Sequence, residues 1–267
     1  MTDTVVGAAR KALGPVGVCL PVSFTSAPSA ESQREAVGRL ERAGYGAVWT
    51  NEVIGKDALV QLATLLAATE RMVFGTCIAN IWARPAQTMH AAAAQLAQAY
   101  PGRFVLGLGV GYPEQAASVG REFGKPLATM RDYLDEMRAP TFPPAPDAPY
   151  ARIIAANGPK MLALAGDAAD GALPAMMPPE LTARVRRQLG PDKLLVVGLS
   201  VTPGDDEERA KATVAQDDST AIVAKVSEHL AAGADHVTLL PAVGGEFAAG
   251  VDHLERLAPA LVDGAVA

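Results

Sequence analysis

The sequence predicts an α/β protein, a single-domain (β/α)8 or TIM barrel, on three observations. Short apolar runs alternate with helical runs eight times along the chain. The apolar runs are rich in Val, Ile and Leu and lack polar alternation, as parallel strands buried on both faces do. The length, 267 residues, suits one such domain, which typically takes about 250. A doubly wound open sheet is the structural alternative.

The elements follow in order. Residues 16–20 form the first strand and 21–28 its loop. Ser29 caps a helix over 30–43, which Gly44 ends. Residues 47–50 are the second strand, with Asn51-Glu52 at its tip, and Asp57 begins a helix through Thr69. The stretch 72–112 organises the rest. In it, strands at 73–79 and 103–108 bracket an Ala-rich helix at 85–99. The first of these strands ends in Cys-Ile-Ala-Asn and the second in a glycine-dense turn. A longer loop leads to a helix at 126–137. The proline-rich segment 141–149 must then be a surface connection. Residues 152–156 are the fifth strand, and Gly158-Pro159 opens a helix through Ala168, with proline in its favoured first turn. The sixth strand is 170–175, and Pro178-Pro179-Glu180 starts a helix ending near Leu189. The seventh strand is 194–201. Residues 205–232 are helical with a break near Asp217-Asp218, 236–240 are the eighth strand, and the last helix covers 245–261.

Composition narrows the function classes. A hydrophobic share of 49% with 19% charged residues describes a globular chain with a sizeable core. Lys+Arg 23 against Asp+Glu 29 gives a net charge of −6, which argues against nucleic acid as a partner. No apolar run reaches the ~18 residues of a membrane helix. The N-terminal residues show no signal-peptide core, so a cytoplasmic location is expected. Two cysteines make no disulfide framework. Cys19 and Cys77 read as core residues, and neither has a neighbouring base or cation in sequence to activate its thiol.

In a parallel barrel the strand C-termini share one rim, where chemistry is built. Asn51, Glu52, Asn80, Trp82 and Tyr112 each follow a predicted strand end, so they converge there. Trp82 or Tyr112 could cover a planar ring, Asn80 could hydrogen-bond one, and Glu52 or Tyr112 could move a proton. Gly107-Leu-Gly109-Val-Gly111 fails the dinucleotide spacing G-x-G-x-x-G, because Tyr112 stands where the third glycine belongs. Its glycines read instead as allowing a sharp turn and the close approach of a flat ligand. Asn157-Gly158-Pro159-Lys160-Met161 joins a strand to a helix N-terminus, where free amides, the helix dipole and Lys160 could hold a phosphate. His90, His229, His236 and His253 show no metal spacing and read as surface or packing residues, so no metal is expected. Hydrolase and P-loop patterns do not occur.

The run TERMVFGTCIANIWARPAQTM…AYPGRFVLGLGVG, with FGKPLATMRDYLDEMRA and AANGPKMLALAGDAADGALP, resembles the luciferase-like monooxygenase superfamily. More closely it is similar to that superfamily's actinobacterial branch of deazaflavin (coenzyme F420)-dependent oxidoreductases. The resemblance covers nearly the whole chain from Val16 to Leu240. It implies one β/α barrel domain with a non-prolyl cis peptide at the end of the third strand, here Cys77-Ile78, bulging against the cofactor ring. It implies that Asn51, Asn80 and Gly109 lie at the ring. Asn157, Gly158, Lys160 and Met161 would hold the phosphate, and Glu52 or Tyr112 would handle the proton. The implied activity is hydride transfer between F420 and a small organic substrate by a homodimer. A flavin mononucleotide (FMN)-dependent monooxygenase and a catalytically inactive cofactor-binding barrel are the alternatives. Two departures stand out. Relatives carry Glu or His near Tyr112, whose reference pKa near 10 makes it a reluctant acid. Relatives also carry a helical insertion between the seventh strand and the last helix, which residues 212–216 here bridge directly.

Overall fold

A computed structural model describes residues 4–23, 26–201, 213–214, 218–241 and 244–262. Eight parallel staves close into a barrel. They are β1 (Val16–Cys19), β2 (Ala47–Thr50), β3 (Val73–Thr76) with its short continuation β4 (Ala79–Asn80), β5 (Phe104–Gly109), β6 (Ala151–Ala155), β7 (Gly171–Leu173), β8 (Leu194–Ser200) and β9 (His236–Leu240). Each pairs with the next, β9 pairs with β1, and β3 pairs with β5 through Phe74↔Phe104 and Gly75↔Val105. That register removes every free sheet edge and rules out the open-sheet alternative.

The helices are α1 (Val5–Leu13), α2 (Ala30–Arg42), α3 (Ala58–Leu66), α4 (Ala86–Ala99), α5 (Pro113–Ala117), α6 (Pro126–Glu136), α7 (Pro159–Ala168), α8 (Pro179–Leu189), α9 (Ser219–Ala231) and α10 (Phe247–Val262). From α2 onward, the apolar faces of the long helices pack on the outside of the barrel. Val37, Leu40, Leu62, Leu65, Met89, Leu164 and Leu254, for example, are fully buried against the strands. The proline-rich segment 141–149 carries no regular element, as expected of a surface connection.

Three elements differ from the sequence reading, and one is α5, which lies in the stretch after Tyr112 expected to be loop alone. The expected third strand at 73–79 is interrupted between β3 and β4, where the Cys77–Ile78 peptide is cis, as the resemblance implied. Ahead of β1 lies α1, which the strand-and-helix alternation passed over. Its signals are local: the Thr4 hydroxyl accepts from the Gly7 amide at 3.1 Å, Val5, Val6, Ala9 and Leu13 recur at helical spacing, and Gly14 ends the helix at φ +65°. Leu13 is fully buried among the inward-facing Ala47, Trp49, Val73, Val105, Ile153 and Val196, so α1 closes the N-terminal end of the barrel. Residues 205–212 and 215–217 of the expected penultimate helix, and most of the 212–216 bridge, lie outside the described residues. Asp218 caps α9 through its bond from the Ala221 amide. Among the described residues no helix is long and apolar enough to cross a membrane.

Candidate active site at the C-terminal rim

The end of β3 is clamped from both sides. The Cys77 amide donates to the Thr50 carbonyl at 2.7 Å, and the Glu52 amide donates to the Ile78 carbonyl at 3.0 Å. On the other side, Thr76 exchanges two bonds with Gly107, donating Oγ1 to its carbonyl at 2.7 Å and accepting its amide at 2.9 Å. The glycines of β5 are spent on this junction. A Cβ at Gly107 would stand 2.0 Å from the Thr76 carbonyl oxygen, and one at Gly109 would stand 1.9 Å from Cδ1 of Ile78. Gly107 and Gly109 therefore make room for the protein's own β3 turn. Cys77 and Ile78 remain half-buried.

Around this turn the rim residues gather as the spacing predicted. Asn80 pairs with Gly109 in the β4–β5 register, its amide donates to Glu52 Oε2 at 2.7 Å, and its own Oδ1 accepts from the Trp82 amide at 3.0 Å. Trp82 is buried beside Phe123, with its indole nitrogen donating to the Val110 carbonyl at 2.7 Å. It forms part of the wall of the site. Tyr112 is 70% exposed, and its amide is held by Gln115 Oε1 at 2.9 Å.

Glu52 departs from its expected role. It is 5% exposed. Oε1 accepts from the Ala58 amide at 2.9 Å and from Arg84 Nη2, while Oε2 accepts from the Asn80 amide and from Arg84 Nη1 at 3.1 Å. Four donors use its four in-plane acceptor positions, leaving none for a substrate proton. The carboxylate instead fastens the β2 tip to α3, β4 and the β4–α4 loop. Arg84 also pairs with Asp57 at 2.8 Å. Burial works against the Arg84 charge, but these two carboxylates outweigh it and hold the guanidinium above its ordinary range.

Sequence reasoning missed two cations here. Arg84 is the sole basic residue between β4 and α4, and its partner is 32 positions away. Lys56 is half-buried, and its Nζ donates to Thr50 Oγ1 at 2.7 Å and Asn51 Oδ1 at 3.0 Å. Burial pulls the Lys56 ammonium down from its usual range, against the opposing pull of Cys19, Cys77 and Glu52. The only sequence signal was a lysine in the loop after a strand.

The Asn157–Met161 turn lies one stave further round. Asn157, Gly158 and Lys160 are exposed and Met161 is half-buried against the core. Asn157 Oδ1 accepts from the Ala175 amide at 3.0 Å, which ties the turn to the loop after β7. Gly158 precedes α7 with no side-chain cap, and the space where its Cβ would stand is open. The first amides of α7 are thus free for an anion, with Lys160 in the first turn, so these residues fit a phosphate group.

Three cavities border this rim. One of about 510 Å³ lies between the β1–α2 loop and the β2–α3 loop, with Lys56, Gln61 and Phe247 in its wall. A second, of about 330 Å³, lies between Val53–Asp57 and Trp82–Arg84. The third, of about 240 Å³, lies beside the α7 N-terminus between α7 and α8, where Arg184 joins Asn157 and Pro159. Among the described residues no group of three His, Cys, Asp or Glu could hold a metal ion.

Comparison with known proteins agrees with this architecture. Residues 15–239 match the family model described as luciferase-like monooxygenase. A proposed coenzyme F420-dependent oxidoreductase of Mycobacterium tuberculosis is 30% identical over 194 residues, covering 61% of this chain and 56% of that protein. A 5,10-methylenetetrahydromethanopterin reductase of Methanolobus tindarius is 28% identical over 153 residues, covering 50% of this chain and 46% of that protein. The match thus spans about half the length of each of these relatives. The fold is shared with an F420-dependent secondary alcohol dehydrogenase solved with an F420-acetone adduct. That likeness has a TM-score of 0.75 at 15% identity and covers 93% of this chain and 99% of the other.

Proposed function

The chain belongs to the luciferase-like monooxygenase family, and on that premise we propose that it is an F420-dependent oxidoreductase acting on a small organic carbonyl, alcohol or conjugated alkene. The observation that carries this reading is the free, uncapped N-terminus of α7 with Lys160, on the same rim as the half-buried Cys77–Ile78 turn. A phosphate-bearing planar cofactor needs both an anion cradle and an apolar shelf. The similarity to F420-dependent relatives supports the choice of cofactor.

When bound, the deazaflavin would supply hydride chemistry at its central ring. This chain would position it. The α7 amides, Gly158 and Lys160 would hold the phosphate, with Asn157 and Met161 shaping the turn. Cys77, Ile78, Asn80 and Gly109 would form the shelf beneath the ring, and Asn51 would border it. Glu52 acts as a positioning residue through Arg84 and the Asn80 amide, which leaves Tyr112 as the rim hydroxyl placed to donate a proton. The assembly in this reading is a cytoplasmic homodimer.

Titrating the purified chain with F420 and, separately, with FMN tests the proposal through fluorescence quenching. Micromolar or tighter binding of F420, with FMN much weaker, is the expected result. Preference for FMN would point to a monooxygenase, and binding of neither would leave a barrel without this cofactor chemistry.

A further inference from the structure

The chain's two cysteines meet at the barrel mouth. Cys19, the last residue of β1, and Cys77, in the turn after β3, lie 58 positions apart in sequence, yet their sulfurs are 3.2 Å apart. Both are free thiols. Cys19 is 5% exposed and Cys77 is half-buried, so Cys77 is the less enclosed member of the pair. The Asn51 backbone and the Lys56 ammonium both lower the cost of negative charge on Cys19, and Lys56 lies within electrostatic reach of both sulfurs. The cation that the local sequence lacked is thus supplied by the β2–α3 loop. The sulfur–sulfur hydrogen bond dominates the pair. It favours the first thiolate, with help from Lys56, and opposes the second.

We propose that Cys19 and Cys77 form an oxidisable dithiol that a hydroperoxide closes into a disulfide, and that closure withdraws the Cys77–Ile78 shelf from the cofactor. In the first step the thiolate charge, which the sulfur–sulfur hydrogen bond favours on Cys19, moves to Cys77 as the Cys77 proton passes to Cys19, and Cys77 attacks the terminal peroxide oxygen. The O–O bond breaks, Cys77 becomes a sulfenic acid, and an alcohol (water, from hydrogen peroxide) leaves with one proton. In the second step the Cys19 sulfur attacks the sulfenic sulfur and the S–O bond breaks. Hydroxide leaves and takes the remaining thiol proton as water. Two thiols and one hydroperoxide give one disulfide, one alcohol and one water, with two electrons passing from the sulfurs to the peroxide.

A disulfide holds its sulfurs at about 2.05 Å, so the Cys77 side chain must swing toward β1. Cys77 is bonded to Thr50 through its backbone, and Ile78 fills the gap above Gly109, so this swing acts on the shelf itself. The bond rests on the thiol geometry alone, whereas its effect on the cofactor rests on the function proposed above.

The test uses the full chain with hydrogen peroxide as the probe. Titratable thiols in denaturant should fall from two to none, with the intact mass lower by two hydrogens, the protein monomeric on a non-reducing gel, and full reversal by dithiothreitol. Cys19→Ser should instead trap a sulfenic acid on Cys77 that reacts with dimedone. Retention of both thiols, intermolecular crosslinks or irreversible oxidation of the native chain would overturn the bond. For the gating, oxidised protein should bind F420 at least tenfold more weakly than reduced protein, and equal binding would overturn it. If neither form binds F420, the proposed function and the gating both fall, while the thiol count still decides the bond.

Discussion

Inside the barrel, Trp49 Nε1 donates to His236 Nε2 at 3.0 Å, and His236 Nδ1 donates in turn to the Gly14 carbonyl at 2.8 Å. This relay fixes the imidazole as the neutral Nδ1–H tautomer, because Nε2 must accept. It links β2, β9 and the turn after α1 through one fully buried ring.

Stability should therefore depend on pH. Burial pulls His236 down to about 4, and His229, buried beside Thr182, is also pulled down to about 4. A folded-state pKa below the unfolded 6.5 means that the unfolded chain binds more protons between these values. The stabilisation is complete above about pH 6.5 and is lost as pH falls toward 4. Each histidine contributes on the order of 3 kcal/mol at most. Thermal unfolding at pH 7.5, 6, 5 and 4.5 should show a falling Tm, and His236→Asn should flatten the slope by about half.

Arg84→Met should be strongly destabilising. It strands the Glu52 carboxylate, whose side chain is 2% exposed, without its cation. The expected loss is about 3–5 kcal/mol by urea denaturation. Adding Glu52→Gln should recover part of that loss, since the buried charge is then gone, and strictly additive effects would contradict the pairing.

Gly109→Ala places a methyl group where Ile78 Cδ1 already lies. Ile78 must move, with a cost of about 1–3 kcal/mol in stability. F420 affinity should fall more than tenfold while the phosphate turn stays intact. Unchanged affinity would place the ring elsewhere on the rim.

Lys160→Ala removes one exposed cation from the α7 N-terminus. F420 affinity should drop roughly fivefold at low salt and less at high salt, as a screened exposed charge would. Stability should not change.

Contiguous features were the ones legible in the sequence. All eight staves showed as short apolar runs, and the exposed start of α7 showed as Gly158-Pro159-Lys160, because each is set by neighbours in the chain. The strand break at residue 77 followed from the family resemblance, and no local pattern signalled it. What the sequence concealed were pairings across the barrel: Glu52 with Arg84, Cys19 with Cys77, and Trp49 with His236. No periodicity reports such contacts, since each depends on how the staves close. Glu52 shows the cost most clearly. From its position it looked like an acid at the rim, and only the four donors around it reveal an anchor. Helix α1 was missed for a different reason: its Thr4 cap and apolar stripe were readable, but it precedes the first strand and so falls outside the alternating pattern.

The position of α1 bears on how the protein can be handled. Arg10 on this helix pairs with Asp235 at 2.7 Å and reaches the Pro191 and Lys193 carbonyls, so the helix is riveted to the end of the barrel opposite the C-terminal rim. A tether attached to an exposed position of α1 would be anchored on that far side. Surface immobilisation or fusion through this end would hold the molecule upright, with its mouth open to solution.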